Sequence, residues 1–140
     1  MKALLDTCVL SEIRHPKGIA AVRAAVAAFQ DESLYLSVLT LGEIATGIAL
    51  FPVSAKRRQL NNWLIGLDQQ FSDRILPIDR ETAHLWGELT ARARAKGVGI
   101  PATDGLIAAT ALRHGLHVMT RNTKHFAATG ALILDPWQGA

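Results

Sequence analysis

The apolar residues of this chain switch repeatedly between two periods, and that alternation restricts the possible folds more than any other feature. Continuous apolar runs at Ala3–Leu5, Leu34–Val38, Ile75–Ile78, His117–Thr120 and Ala131–Leu134 read as short strands. Between them the spacing becomes helical. One helix ends near Arg14, and Ile19, Val22, Val26 and Phe29 predict an alanine-rich helix over 18–30. Leu41, Ile44, Ala45, Ile48 and Ala49 mark another, and Leu60, Trp63, Leu64, Leu67 and Phe71 a longer one that Ser54 caps. Ala83, Trp86, Leu89 and Ala93 give a helix that Asp79 caps and Gly97 stops. Thr103–His114 is apolar nearly all round, which predicts a buried helix ended by Gly115. Strands alternating with helices predict an α/β fold, with a five-stranded, mainly parallel sheet flanked by helices. Strands this apolar suit a sheet covered on both faces, and Pro77 puts the third at an edge or at its own end.

The length, 140 residues, predicts a single domain over 1–140. A lone cysteine, Cys8, excludes an internal disulfide framework and any multi-cysteine zinc site. Aromatic residues are 6% of the chain, too few for a base-stacking platform. The net charge of +3 permits an anionic partner without requiring one. The apolar start meets Asp6 too early for a signal-peptide core, and no run approaches the ~20 residues of a membrane span. The expectation is a soluble, cytoplasmic protein without a membrane partner.

Ligands of open parallel sheets bind beyond the carboxyl ends of the strands, so the polar residues there matter most. Asp6 follows the first strand, Glu43 lies about two helical turns beyond the second, Asp104 opens the buried helix, and Asn122 follows the fourth strand. Each alone has a structural explanation. Asp6 suits an N-cap, Thr40–Glu43 a capping box, Thr103 or Asp104 a cap of the buried helix, and Asn122 a turn. Together they are harder to explain that way. Carboxylates crowded at one edge repel one another unless a cation neutralises them, and helix N-termini supply only a fraction of a charge each. A hard, oxygen-seeking ion such as Mg²⁺, which keeps several waters, fits that donor set. The histidines at 15, 84, 114, 117 and 125 show no metal-ligand spacing.

Four segments carry a family likeness: Leu4-Leu-Asp6-Thr-Cys-Val-Leu-Ser-Glu12, Ser37-Val-Leu-Thr-Leu-Gly-Glu43-Ile, Ala102-Thr-Asp104-Gly-Leu-Ile-Ala-Ala-Thr110-Ala, and Thr120-Arg-Asn122-Thr-Lys-His-Phe126, with Asp135-Pro-Trp137 closing the chain. In this order and at this length the chain resembles the PIN-domain nucleases, in particular the toxin subunits of VapBC-type toxin–antitoxin pairs, including the FitB branch. The likeness covers nearly the whole chain. It implies a PIN-like domain and a metal-dependent endoribonuclease acting on tRNA or other structured RNA. Its acidic site would be Asp6, Glu43 and Asp104, with Asn122 in the fourth position. It also implies Mg²⁺ or Mn²⁺ as cofactor, a cognate antitoxin whose tail lies over the active site, and a homodimer or larger toxin–antitoxin assembly.

Two positions depart from the family pattern. Cys8 stands where Asn is usual after the Asp-Thr pair, which would loosen the hydrogen bonding that orients Asp6. His125 stands where many relatives have Asp, which removes an outer carboxylate. These departures support an alternative: a catalytically weak PIN domain that binds RNA or protein.

The expected mechanism is metal-assisted hydrolysis of a phosphodiester. Asp6 and Asp104 would hold the ion, with Glu43 acting through water or on a second ion. Thr120 and Asn122 would hydrogen-bond to the waters of the ion. Arg121 and Lys124 flank Asn122 and are the expected backbone-phosphate contacts, with Thr120 beside them on the substrate side. The helix ending near Arg14 and the helix at 18–30 would form a groove for an antitoxin helix. A haloacid-dehalogenase-like phosphatase is excluded because Cys8 occupies the place of its second Asp. A receiver domain is excluded because Asp6 has no acidic neighbour, and Asp79 is more simply a helix cap.

Overall fold

The strands are short because each crosses the middle of a three-layer stack. The structure, a computed structural model, describes residues 1–138. The strands are β1 (Ala3–Leu5), β2 (Leu34–Ser37), β3 (Ile75–Leu76), β4 (His117–Met119) and β5 (Ile133–Leu134). They form one parallel sheet in the order β3-β2-β1-β4-β5. Side chains of successive strand residues point to opposite faces, and the core divides accordingly. Ala3, Leu5, Leu34, Leu36 and Met119 pack into one hydrophobic layer, and Leu4 and Val118 into the other. The expected parallel α/β sheet is the one found, with the proline-limited β3 at an edge.

The helices are α1 (Thr7–Arg14), α2 (Ala20–Ala27), α3 (Val38–Ala49), α4 (Ala55–Gln70), α5 (Arg80–Ala95), α6 (Ala102–His114) and the single-turn α7 (Thr123–Phe126). The first layer is closed by α1, α2, α3 and α4 through Val9, Leu10, Val22, Ile44 and Leu67, and the second by α6 and α7 through Ile107, Ala108, Ala111 and Phe126. Among the described residues no helix is long and apolar enough to cross a membrane.

Local chemistry sets most boundaries. Ser54 caps α4 by accepting from the Arg57 amide at 3.2 Å, and Asp79 caps α5 by accepting from the Thr82 amide at 2.9 Å. After α5, Gly97 takes φ 76°. Its amide donates to Arg94 O, and the Val98 amide to Ala93 O, the paired bonds of a Schellman end. Gly115 ends α6 in the left-handed region, where glycine carries no Cβ penalty.

Three expectations are corrected. The helix over 18–30 is confined to Ala20–Ala27, because the Ile19 amide is bonded to Glu12 Oε1 at 3.0 Å and Gly18 is pressed against the Glu12 carbonyl. Thr40–Glu43 is not a capping box: Ser37 caps α3, so Thr40 and Glu43 lie inside the helix. Neither Thr103 nor Asp104 caps α6, whose N-cap is Pro101 with no side-chain bond. Asp104 is thereby left free of a structural duty at the helix start.

Phe126 is fully buried and fixes the short α7 to the second layer, where Leu4, Ile107 and Val118 surround it. Phe126→Ala is expected to cost about 3–5 kcal/mol of stability through lost burial and the cavity left behind. Urea unfolding of the two proteins checks this; a loss under about 1 kcal/mol would mean that the layer refills the space.

Candidate active site

The carboxyl edge of the sheet is where the first acid enters. Asp6 leaves β1 and is at once the N-cap of α1. Burial of a carboxylate is costly unless donors meet it, and here two do. The Thr7 amide donates to Oδ1 at 2.9 Å and the Thr120 hydroxyl to Oδ2 at 2.8 Å. The partial positive charge of the α1 N-terminus adds to both. Asp6 is 6% exposed, held rigidly, and turned to the end of the sheet.

Glu43 reaches the same place from α3. Its Oε1 accepts from the Thr7 hydroxyl at 3.0 Å, so Thr7 serves Asp6 with its amide and Glu43 with its side chain. Asp104, in the first turn of α6, has Oδ2 at 3.0 Å from Nδ1 of His125 on α7. The loss of surrounding water pushes the Glu43 carboxyl above its ordinary range, and the charges of Asp6 and Asp104 push it further, while the Thr7 bond opposes them. Glu43 as a whole keeps an open side to solvent, which softens these effects. Burial also raises Asp104, with Asp6 adding and His125 opposing.

The three acids therefore lie within electrostatic reach of one another. They are not yet a closed cage. Among the described residues no group of three or more His, Cys, Asp and Glu side chains stands close enough to hold an ion. Mutual repulsion keeps metal-free carboxylates apart, and an ion that retains its own waters needs only one or two of them directly.

The remaining expected residues divide by burial. Thr120 is 0% exposed, and its hydroxyl donates to Asp6 and accepts from the Asn122 amide at 3.0 Å. It meets neither substrate nor the waters of an ion; its place is to hold Asp6. Asn122 is exposed at the start of α7, and its side chain makes no cap bond there. Arg121 and Lys124 are exposed beside it. Together with Thr123 and His125 they line a shallow cavity of about 220 Å³. The Arg121 guanidinium lies 5.5 Å from the centre of the Trp137 ring, a cation–π contact that sets its direction.

Cys8 does not orient Asp6, for its Sγ stands 4.0 Å from Oδ2. It accepts instead from the Arg121 amide at 3.5 Å. Burial pushes its thiol up, so it behaves as a small apolar side chain, not a nucleophile. Two residues that matter here escaped sequence reasoning, Thr7 and Trp137. A hydroxyl immediately after a capping Asp, and an aromatic in the closing Asp-Pro-Trp, were the signals available for them.

Comparison with known proteins agrees with this geometry. A family model described as the PIN domain matches residues 3–132. The chain is similar to a protein of Sinorhizobium fredii named VapC ribonuclease Y4jK, 38% identical over 98% of this chain and 99% of the other. It is similar also to Toxin FitB of Neisseria gonorrhoeae, 37% identical over 96% of this chain and 97% of that one. Among solved structures, that of FitAB bound to an IR36 DNA fragment superposes with a TM-score of 0.91 at 35% identity, covering 97% of this chain and 96% of that chain.

The raised carboxyls have a consequence for stability. A folded protein that holds the Glu43 proton more tightly than the unfolded chain loses stability as pH rises through the carboxylate range. The penalty is absent in acid, where both states are protonated, and complete at neutral pH. In metal-free protein, Glu43→Gln is expected to raise Tm at pH 7 and to leave it unchanged near pH 3. A pair of thermal melts at the two pH values measures this, and a lower Tm at pH 7 would mean that the Thr7 bond outweighs the repulsion.

Proposed function

The chain belongs to the PIN-domain family, and from that premise we propose that it is a metal-dependent endoribonuclease, the toxin of a toxin–antitoxin pair. The observation that carries this reading is the meeting of Asp6, Glu43 and Asp104, from three separate elements, at the carboxyl edge of the sheet, with Asp104 and Glu43 both destabilised in their charged forms by burial and by their neighbours. Hard carboxylate oxygens that raise one another's proton affinity are a fitting donor set for a divalent cation. Asp6 and Asp104 would hold it, with Glu43 in reach through a water or on a second ion.

Bound there, such an ion would supply a more acidic water and positive charge opposite the phosphate. The chain's own residues do the rest. Thr7 and Thr120 fix both oxygens of Asp6, so the site is built before substrate arrives. Glu43, whose proton affinity is raised, is placed to orient the attacking water and take its proton. Arg121 and Lys124 present cations at the mouth to the phosphates on either side of the scissile bond. The water oxygen bonds to phosphorus while the opposite P–O bond breaks, and the departing oxygen takes up a proton.

An antitoxin partner fits the apolar side of the molecule. A groove of about 480 Å³ runs between α1, α2 and α4 and includes Leu10, Ile13, Val26, Phe29 and Trp63. Arg14 lies over Trp63 at its rim, 5.4 Å from the ring centre. An amphipathic helix of the antitoxin would bury its apolar face there. Leu50 and Val53, between α3 and α4, are 81% and 88% exposed, which suits a face covered in a homodimer or larger assembly.

Asp6→Asn and Asp104→Asn are expected to lower cleavage of total tRNA by at least about a hundredfold while circular dichroism stays unchanged. EDTA is expected to stop the wild-type reaction, and Mg²⁺ or Mn²⁺ to restore it. Full cleavage in EDTA would remove the metal from the mechanism, and RNA binding without cleavage would favour a binding module. Separately, Arg121→Ala is expected to weaken RNA binding and to reduce the slope of log K against log salt by about 1. Filter binding at several salt concentrations measures that slope.

A further inference from the structure

The contact between His125 and Asp104 departs from an all-oxygen site, and it is already shaped for an ion. Nδ1 of His125 stands 3.0 Å from Oδ2 of Asp104. Neighbouring ligands on an octahedral ion with bonds of roughly 2.1 Å stand about 3.0 Å apart, so these two atoms hold the spacing of adjacent ligands. The backbone that carries the imidazole is fixed. The His125 amide donates to Asn122 O at 3.0 Å, and the next residue, Phe126, is 0% exposed in the core. The side chains differ in freedom: that of His125 is 54% exposed and that of Asp104 17%, so the ring can turn about a firmly seated carboxylate.

Resting on the metal-site reading above, we infer that His125 supplies an imidazole ligand beside Asp104, so that this centre takes Mn²⁺ or a neighbouring transition ion ahead of Mg²⁺. Mg²⁺ prefers oxygen and gives up its waters reluctantly, whereas first-row transition ions accept imidazole readily and gain affinity from it. A site of carboxylates alone discriminates weakly between Mg²⁺ and Mn²⁺. One nitrogen donor tilts that balance. The competing arrangement keeps the Nδ1 proton on Asp104 as an outer hydrogen bond, with His125 never touching the ion.

Electron spin-echo spectroscopy on the metal-stripped full chain loaded with Mn²⁺ separates the two, because a directly bound imidazole gives ¹⁴N modulation. Wild type is expected to show that modulation. His125→Ala and His125→Asp are expected to lose it while still binding Mn²⁺. The ratio of Mn²⁺ to Mg²⁺ affinity, read by competition, is expected to fall at least about tenfold in His125→Asp, which returns the site to oxygen donors. Mn²⁺ bound without nitrogen modulation, or modulation that survives in His125→Ala, would overturn the inference and leave the carboxylate site standing. No Mn²⁺ bound by wild type, or equal binding by Asp6→Asn, would overturn the metal site itself.

Discussion

The buried carboxylate of Asp6 is the constraint on which the rest of the site depends. It sits at the end of the middle strand, where water cannot satisfy it, and its two oxygens are met by the Thr7 amide and the Thr120 hydroxyl. Those donors come from opposite ends of the chain. Thr120 follows β4, which pairs with β1 in parallel register, and the Asp6 amide donates to Met119 O at 3.0 Å in continuation of that pairing. Formation of the central strand pair therefore builds the first ligand. A misplaced β4 would strand a buried charge, a large loss for a domain whose whole stability is of the order of 10 kcal/mol.

Much of this was legible in the sequence because it rests on local rules. The apolar runs, the caps at Ser54 and Asp79 and the glycine at 115 are each set by a few neighbouring residues, and each stands where the sequence puts it. Meetings between distant residues were less legible. Thr40–Glu43 has the spacing of a capping box, yet Ser37 lies nearer the end of β2 and takes the cap, which releases Glu43 to reach Thr7. The local pattern was genuine and a competitor a few residues earlier prevailed. Thr120 likewise looked like a strand-end hydroxyl open to substrate, and only the packing of β4 beside β1 shows it to be buried. Single-turn α7 has no periodicity to read. The separate acids of the site were legible as residues, and the threonines that hold them were not.

Electrostatics explains why the acids are so unequally anchored. Asp6 has two donors and a helix terminus, whereas Glu43 has one hydroxyl and Asp104 one imidazole. Burial and mutual repulsion then raise the proton affinity of the two weakly anchored acids. A fold selected only for stability would not leave them there, since replacing a repelling charge by a neutral side chain is favourable. Retained destabilisation at a cleft is the mark of a site kept for its charge. The uneven anchoring also has a use: one fixed ligand defines the position, and two adjustable ones close on what is bound.

The two departures from the family pattern then carry different weight. Cys8 touches neither the orientation of Asp6 nor the open cleft; Thr7 and Thr120 already do the orienting, and its sulfur is engaged with the Arg121 amide and packed against the first layer. Its replacement of Asn thus alters how the Arg121 loop is tied to α1, leaving the acid in place. Arg121 is also braced by Trp137, so the phosphate-binding cation is fixed from both ends, by its backbone on α1 and by its guanidinium on the closing segment. His125 is another matter. It meets one of the adjustable acids directly and brings a nitrogen where a carboxylate would have added a further negative charge. The site thereby carries less repulsion in the absence of metal, and the identity of its ion passes from charge alone to the chemistry of the donor atoms.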